Sequence, residues 1–163
     1  DENSWNGTVY ERLGKAVKTF AALQFTVPGM PLIYSGQEAG LDKRLEFFEK
    51  DRIEWGKDPE MTALYANLIA LKKSSQALWN GEAGGEIRFL ETSDPGKMLA
   101  FQRAKEESCV LVLMNLSEQP VRGEVDLGEK ENYRQFPTDK TIVLEGTTAF
   151  EMEPWSYRIF TKE

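Results

Sequence analysis

The sequence predicts an α/β segment followed by an all-β antiparallel domain, and three observations carry that expectation. Apolar residues recur at three-and-four spacing through the first half of the chain, and beyond Asn80-Gly81 the period falls to two. Between two helical patterns lies Pro28-Gly29-Met30-Pro31-Leu32-Ile33-Tyr34-Ser35-Gly36-Gln37-Glu38, where a helix-breaking Pro-Gly leads into a short apolar run ending on polar residues. A strand apolar on both sides belongs to a parallel sheet covered by helices on each face. Polar residues at its carboxyl end sit where α/β proteins build their active sites.

The elements follow in order. Thr8 and Glu11 form a Thr-x-x-Glu capping box, and Leu13, Ala16, Val17, Phe20, Leu23 and Val27 then give one helix an apolar face. Pro28-Gly29 stops it, and Pro31 to Ser35 read as a buried strand. A loop from Gly36 to about Lys57 is longer than ordinary connections and is therefore a functional candidate. Asp58 and Pro59 supply an N-cap and a first helical residue, followed by Met61, Leu64, Tyr65, Leu68, Ile69 and Leu71 on one face. Lys72 and Lys73 suit the negative end of that helix dipole.

Asn80-Gly81 and Gly84-Gly85 mark the boundary to the second half. Strands are predicted at Ile87–Glu91, Met98–Gln102, Val110–Leu116, Val121–Leu127, Tyr133–Phe136, Thr141–Leu144, Ala149–Met152 and Ser156–Phe160. Ser93-Asp94-Pro95-Gly96 is a strong turn, and Pro120 and Pro154 flank strands rather than interrupt them. A lone helix-strand-helix unit has no sheet partners of its own, so the first half reads as the tail of a repeating βα structure.

Composition narrows the function classes. The net charge of −7 argues against nucleic acid as a partner, and no apolar stretch is long enough to cross a membrane as a helix. The absence of histidine removes Ser-His-Asp and Cys-His catalysis and the usual zinc sites from this sequence. Cys109, alone of its kind, lies in an apolar run and reads as a small core hydrophobe. Any chemistry here must run on carboxylates, Arg and Lys. The chain opens on Asp1 rather than Met, which points to an excised or processed piece.

Residues Gly29 to Glu38 spell Gly-x-Pro-x-Ile-Tyr-x-Gly-x-Glu, which resembles the last barrel strand of the α-amylase superfamily of glycoside hydrolases. Asp1-Glu2-Asn3-Ser4-Trp5 resembles the end of the seventh strand, where the family carries Asn-His-Asp. Asp51-Arg52-Ile53-Glu54-Trp55 resembles its acidic-aromatic stretch before the last barrel helix, and the segment Trp155 to Phe160 its closing C-terminal strand. The resemblance implies the last βα units of a (β/α)8 TIM barrel, truncated, over 1–80, and a C-terminal antiparallel β-sandwich over 81–163. It implies retaining hydrolysis of α-glucosidic bonds in starch or maltodextrins, with an α-glucan or maltooligosaccharide as the parent enzyme's substrate. It makes Asp1 the third essential carboxylate and gives Asp42 and Arg44 contacts to sugar, with a solvated-loop role as their alternative. Glu38 is expected to be structural.

The nucleophile and the acid/base are expected on the fourth and fifth strands, outside this sequence, so the chain alone is expected to be inactive. No cofactor is implied in this chain, and calcium is left as an option for the missing part of the parent enzyme. A secreted or periplasmic setting is one option the resemblance carries. Exposed apolar helix faces of a truncated barrel would favour self-association. Three alternatives stay open: a free-standing carbohydrate-binding module using Trp79, Tyr133 or Trp155, a structural or partner-binding domain, and a sucrose- or trehalose-type glucosyl transferase.

Overall fold

The structure is a computed structural model and describes residues 6–46, 48–138 and 140–162. The first helix, α1 (Val9–Leu13), opens on the expected capping box: Glu11 N donates to Thr8 Oγ1 at 3.1 Å, and Thr8 N donates to Glu11 Oε2 at 2.7 Å. A 3-10 turn over Gly14–Ala16 then interrupts the expected single helix before α2 (Val17–Thr26) resumes it. The tighter 3-10 winding shifts the phase of everything that follows. Ala16, Val17, Ala21, Ala22 and Phe25 are consequently buried, whereas Phe20, expected on the inner face, is exposed.

The expected buried strand at Pro31–Ser35 is not formed. These residues join no ladder, and Leu32 is 71% exposed. A parallel strand exists only through neighbours that take up its backbone hydrogen bonds, and no described segment supplies them. Of the stretch, Ile33 alone packs against the helical core. The last helix, α3 (Pro59–Ser74), follows expectation: Asp58 Oδ1 accepts from Met61 N at 3.0 Å, Pro59 occupies the first turn, and Met61, Leu64, Tyr65, Leu68 and Leu71 are buried.

All eight expected strands form among the described residues. They are β1 (Glu86–Leu90), β2 (Met98–Lys105), β3 (Ser108–Asn115), β4 (Val121–Asp126), β5 (Glu131–Phe136), β6 (Lys140–Leu144), β7 (Thr147–Met152) and β8 (Tyr157–Lys162). A six-stranded sheet runs in the order β1-β2-β3-β8-β5-β6, and β4 pairs with β7 in a second, two-stranded sheet. Every pairing is antiparallel.

Strand β3 is buried along its whole length because the large sheet is covered twice. Cys109, Leu111 and Leu113 point into the sandwich with Val121, Val125, Phe150, Met152 and Phe160. Val110, Val112 and Met114 point the other way, onto Phe25, Leu64, Tyr65 and Leu68 of the helices. Three layers result: helices, large sheet, small sheet. Alternation along one strand thus feeds two cores, which is why Cys109 to Met114 reads as an unbroken apolar run.

A buried arginine fastens the layers. Arg103 on β2 is 2% exposed and shares the helix-side face with Phe101. It has no carboxylate partner among the described residues; its guanidinium donates to backbone carbonyls instead. Nε reaches Gly85 O at 2.9 Å, Nη2 reaches Trp79 O at 2.9 Å, and Nη1 sits 3.3–3.4 Å from the carbonyls of Thr26, Val27 and Leu78. The end of α2 and the linker between helices and strands are thereby held to one side chain, whose charge faces the negative end of a helix dipole. Lys72 Nζ adds a 2.7 Å bond to Leu78 O. The chain passes close enough here that a Cβ on Gly84 would lie 1.8 Å from Trp79 O, and one on Gly85 would lie 2.4 Å from Ala104 O.

Candidate functional site

The polar cluster around the α1 N-terminus is built from three short segments. The first is the turn after Tyr34. Gly36 has φ near 100°, and a Cβ there would meet Leu41 Cδ2 at 2.7 Å, so glycine is required. Its carbonyl accepts from Ala39 N at 3.0 Å and Leu41 N at 2.9 Å. The two side chains that follow fold back on the same turn: Gln37 Oε1 takes Tyr34 N and Glu38 Oε2 takes Gly36 N, both at 3.0 Å. Glu38 is therefore engaged structurally, as the sequence implied. Thr62 Oγ1 donates to Glu38 O at 2.8 Å and ties the turn to the start of α3.

The second segment brings Asp42 and Arg44 onto the capping box. Thr8 Oγ1 donates to Asp42 Oδ1 at 2.6 Å while accepting from Glu11 N. Arg44 clamps Glu11 with two bonds of 3.1 Å, Nε to Oε2 and Nη2 to Oε1. The forked geometry matches a guanidinium to both carboxylate oxygens. Arg44's hydrogen bond, and then the Thr8 amide, hold the Glu11 carboxyl below its ordinary range. Asp42 Oδ2 and Arg44 Nη1 have no partner among the described residues. The Tyr10 hydroxyl beside them is buried without a partner, and burial followed by the charges of Asp58 and Asp42 raises its pKa.

Asp51 locks the third segment. It accepts from Lys43 Nζ, from Glu46 N at 2.9 Å and from Arg52 N at 2.7 Å. The lysine first, then the two amides, lower its pKa to about 2. A carboxyl depressed in this way favours the folded loop above the ordinary aspartate range and loses that effect as pH falls toward about 2. Asp51 thus ties Lys43, Glu46 and Arg52 together within a stretch that charge alone marks as solvated surface.

Asp1 lies outside the described residues. Asp42 and Arg44 are brought together through Thr8 and Glu11, an arrangement the sequence did not disclose because the partners are more than thirty positions apart. Of the three aromatics considered as a sugar platform, Tyr133 is turned away from solvent. Tyr133 is 4% exposed and stacks edge-on to Phe160 inside the sandwich, at a centroid distance of 6.5 Å. Alternation on β5 turns it inward. Trp155 is half-buried, with its carbonyl accepting from Thr19 Oγ1 at 2.5 Å, and Trp79 is exposed on the linker, where Nε1 donates to Lys73 O at 3.2 Å. No group of three or more His, Cys, Asp or Glu side chains suited to a metal ion occurs among the described residues. No described helix is long and apolar enough to cross a membrane.

Residues 87–159 match the family described as maltogenic amylase, C-terminal domain. A cyclomaltodextrinase from a Bacillus species is 30% identical over 104 residues, covering 62% of this chain and 18% of that protein. Alpha-amylase 2 of Dictyoglomus thermophilum is 26% identical over 117 residues, covering 64% and 19%. The chain therefore spans about a fifth of the length of these curated relatives. Its fold superposes on a maltogenic α-amylase from Thermotoga neapolitana with a TM-score of 0.75 at 17% identity, over 91% of this chain and 36% of that one. An α-amylase from Geobacillus thermoleovorans superposes with a TM-score of 0.68 at 16% identity, over 95% and 35%.

The antiparallel sandwich is the part of the chain that matches the maltogenic amylase C-terminal domain, and the sandwich with its helical cover has the fold seen at that end of solved α-amylases. Residues 87–159 carry the similarity to that domain family, and the chain as a whole resembles the C-terminal part of α-amylase family enzymes.

Proposed function

We propose that this chain works as part of a hydrolase that cleaves α-glucosidic bonds of starch or maltodextrins with retention at the anomeric carbon. The match of residues 87–159 to the maltogenic amylase C-terminal domain carries the proposal. The names of the relatives, among them a cyclomaltodextrinase and an α-amylase, supply the substrate class. In this reading residues 1–80 complete a (β/α)8 barrel and 81–163 form the sandwich that covers it. The unpaired, exposed segment around Leu32 supports that division, because an apolar run without a ladder needs strands alongside it.

Retaining hydrolysis uses one carboxylate as nucleophile and one carboxylic acid to protonate the leaving oxygen. In this reading both belong to earlier barrel strands, as the family resemblance implies, and the chain alone is expected to be catalytically silent. Asp1 is the third carboxylate, binding sugar hydroxyls more strongly as positive charge develops on the ring. Asp42 Oδ2 and Arg44 Nη1 offer an acceptor and a donor edge to a sugar hydroxyl pair, while their other atoms fix the loop to α1.

Asp42→Ala and Arg44→Ala in the full-length enzyme test that role. Each is expected to raise KM for maltoheptaose by about tenfold with a smaller change in kcat, the pattern of lost ground-state binding. Unchanged KM in a variant of unchanged melting temperature would leave both residues as loop fasteners only.

A further inference from the structure

A second groove lies on the opposite flank of α3 from the linker, where the large sheet extends past the helices. It encloses about 530 Å³, with β5, β6 and β8 as its floor and the outer flank of α3 as its wall. Register sets the floor pattern. Arg134 pairs directly with Thr141 on one side and Thr161 on the other, so the three stand in one row across three strands. Asn132 pairs with Val143 in a neighbouring row. Strand alternation puts Asn132, Arg134 and Phe136 on the face opposite the inward Tyr133. Asn67 on α3 faces them across the groove.

The groove is polar, open and uncommitted. The side chains of Asn67, Asn132, Arg134, Thr141 and Thr161 make no hydrogen bond to another described residue. At the rim Lys162 is already neutralised by Glu131 at 2.5 Å, which leaves Arg134 as the uncompensated charge among the described residues of the groove. One guanidinium in a chain of net charge −7 does not suit a polyanion. The amides and hydroxyls suit poorly an apolar helix or a second copy of the chain, because docking either one would bury them unpaired. Neutral amide and hydroxyl groups alternating with a half-buried aromatic ring match a neutral polyol that has an apolar face.

We infer that this groove is an accessory binding site for an α-glucan chain, separate from the Asp42–Arg44 cluster. The ligand class rests on the proposed function; the site rests on the row Thr141–Arg134–Thr161 and its free neighbours. Phe136 supplies the surface for a sugar ring, and Arg134, Asn132 and Asn67 the hydroxyl contacts. The sandwich then holds polymer beside the enzyme as well as covering it.

Backbone amide shifts of the chain during titration with millimolar maltoheptaose test the inference. Shifts are expected in residues 131–136 and 67–74. Asn132→Ala combined with Arg134→Ala should weaken binding by about tenfold, the equivalent of some 1.4 kcal/mol, at unchanged melting temperature. The inference is overturned by an absence of shifts, by shifts confined to residues 34–46, or by a concentration-dependent dimer that protects 131–136. Hydrolysis of maltodextrin by the full-length enzyme, measured in parallel, separates failure of this groove from failure of the hydrolase reading.

Discussion

Arg103→Met is expected to lower the folding stability of the chain by about 3–5 kcal/mol, the range for leaving buried polar partners uncompensated. Methionine keeps much of the stem's packing while removing all the donors that reach Gly85, Trp79, Thr26, Val27 and Leu78. Of the residues that lose a donor, Thr26 and Gly85 are buried, so their carbonyls are the ones left poorly compensated, while Leu78 O keeps its bond from Lys72. Arg103→Lys should fall between the two, because a single ammonium cannot span carbonyls arranged around a planar fork. Urea denaturation gives the free energies. Hydrogen exchange at residues 76–85 gives a second reading should a variant unfold too easily for a clean baseline. A loss below about 1 kcal/mol would show that the arginine merely fills space.

Asp1→Asn in the full-length enzyme is expected to reduce kcat on maltodextrins by about 10²–10³-fold or more, on the scale of removing one group aimed at developing charge. Asparagine preserves size and one acceptor oxygen but removes the negative charge that favours the positively charged transition state. The effect should therefore fall on kcat rather than KM. Full turnover by the variant would remove Asp1 from the reaction.

The β half was legible because its strands are short and punctuated by turn residues, and several of them alternate cleanly. Val121 and Val125 bury while Arg122 and Glu124 stay out, as period two requires. The caps at Thr8 and Asp58 were legible because they are local chemistry. The phase break at Gly14 was hidden, since apolar spacing on either side of a 3-10 turn still looks helical. The run Pro31–Ser35 misled for another reason. Apolar composition reports what a segment prefers to bury, while strand formation also demands neighbours along its edges. Arg103 was missed outright, although a long cation two residues from Phe101 on a strand in a double-covered sheet was a signal of an inward arginine. The Thr8–Asp42 and Glu11–Arg44 bonds join segments far apart in sequence, and nothing local encodes them.

The most direct test of the account follows the anomer released from maltoheptaose by proton NMR, with the full-length enzyme and with this chain alone. The expected result is α-anomer as the first product of the full-length enzyme and no new reducing ends from the chain. Cleavage by the chain alone, or β-anomer as the first product, would contradict it.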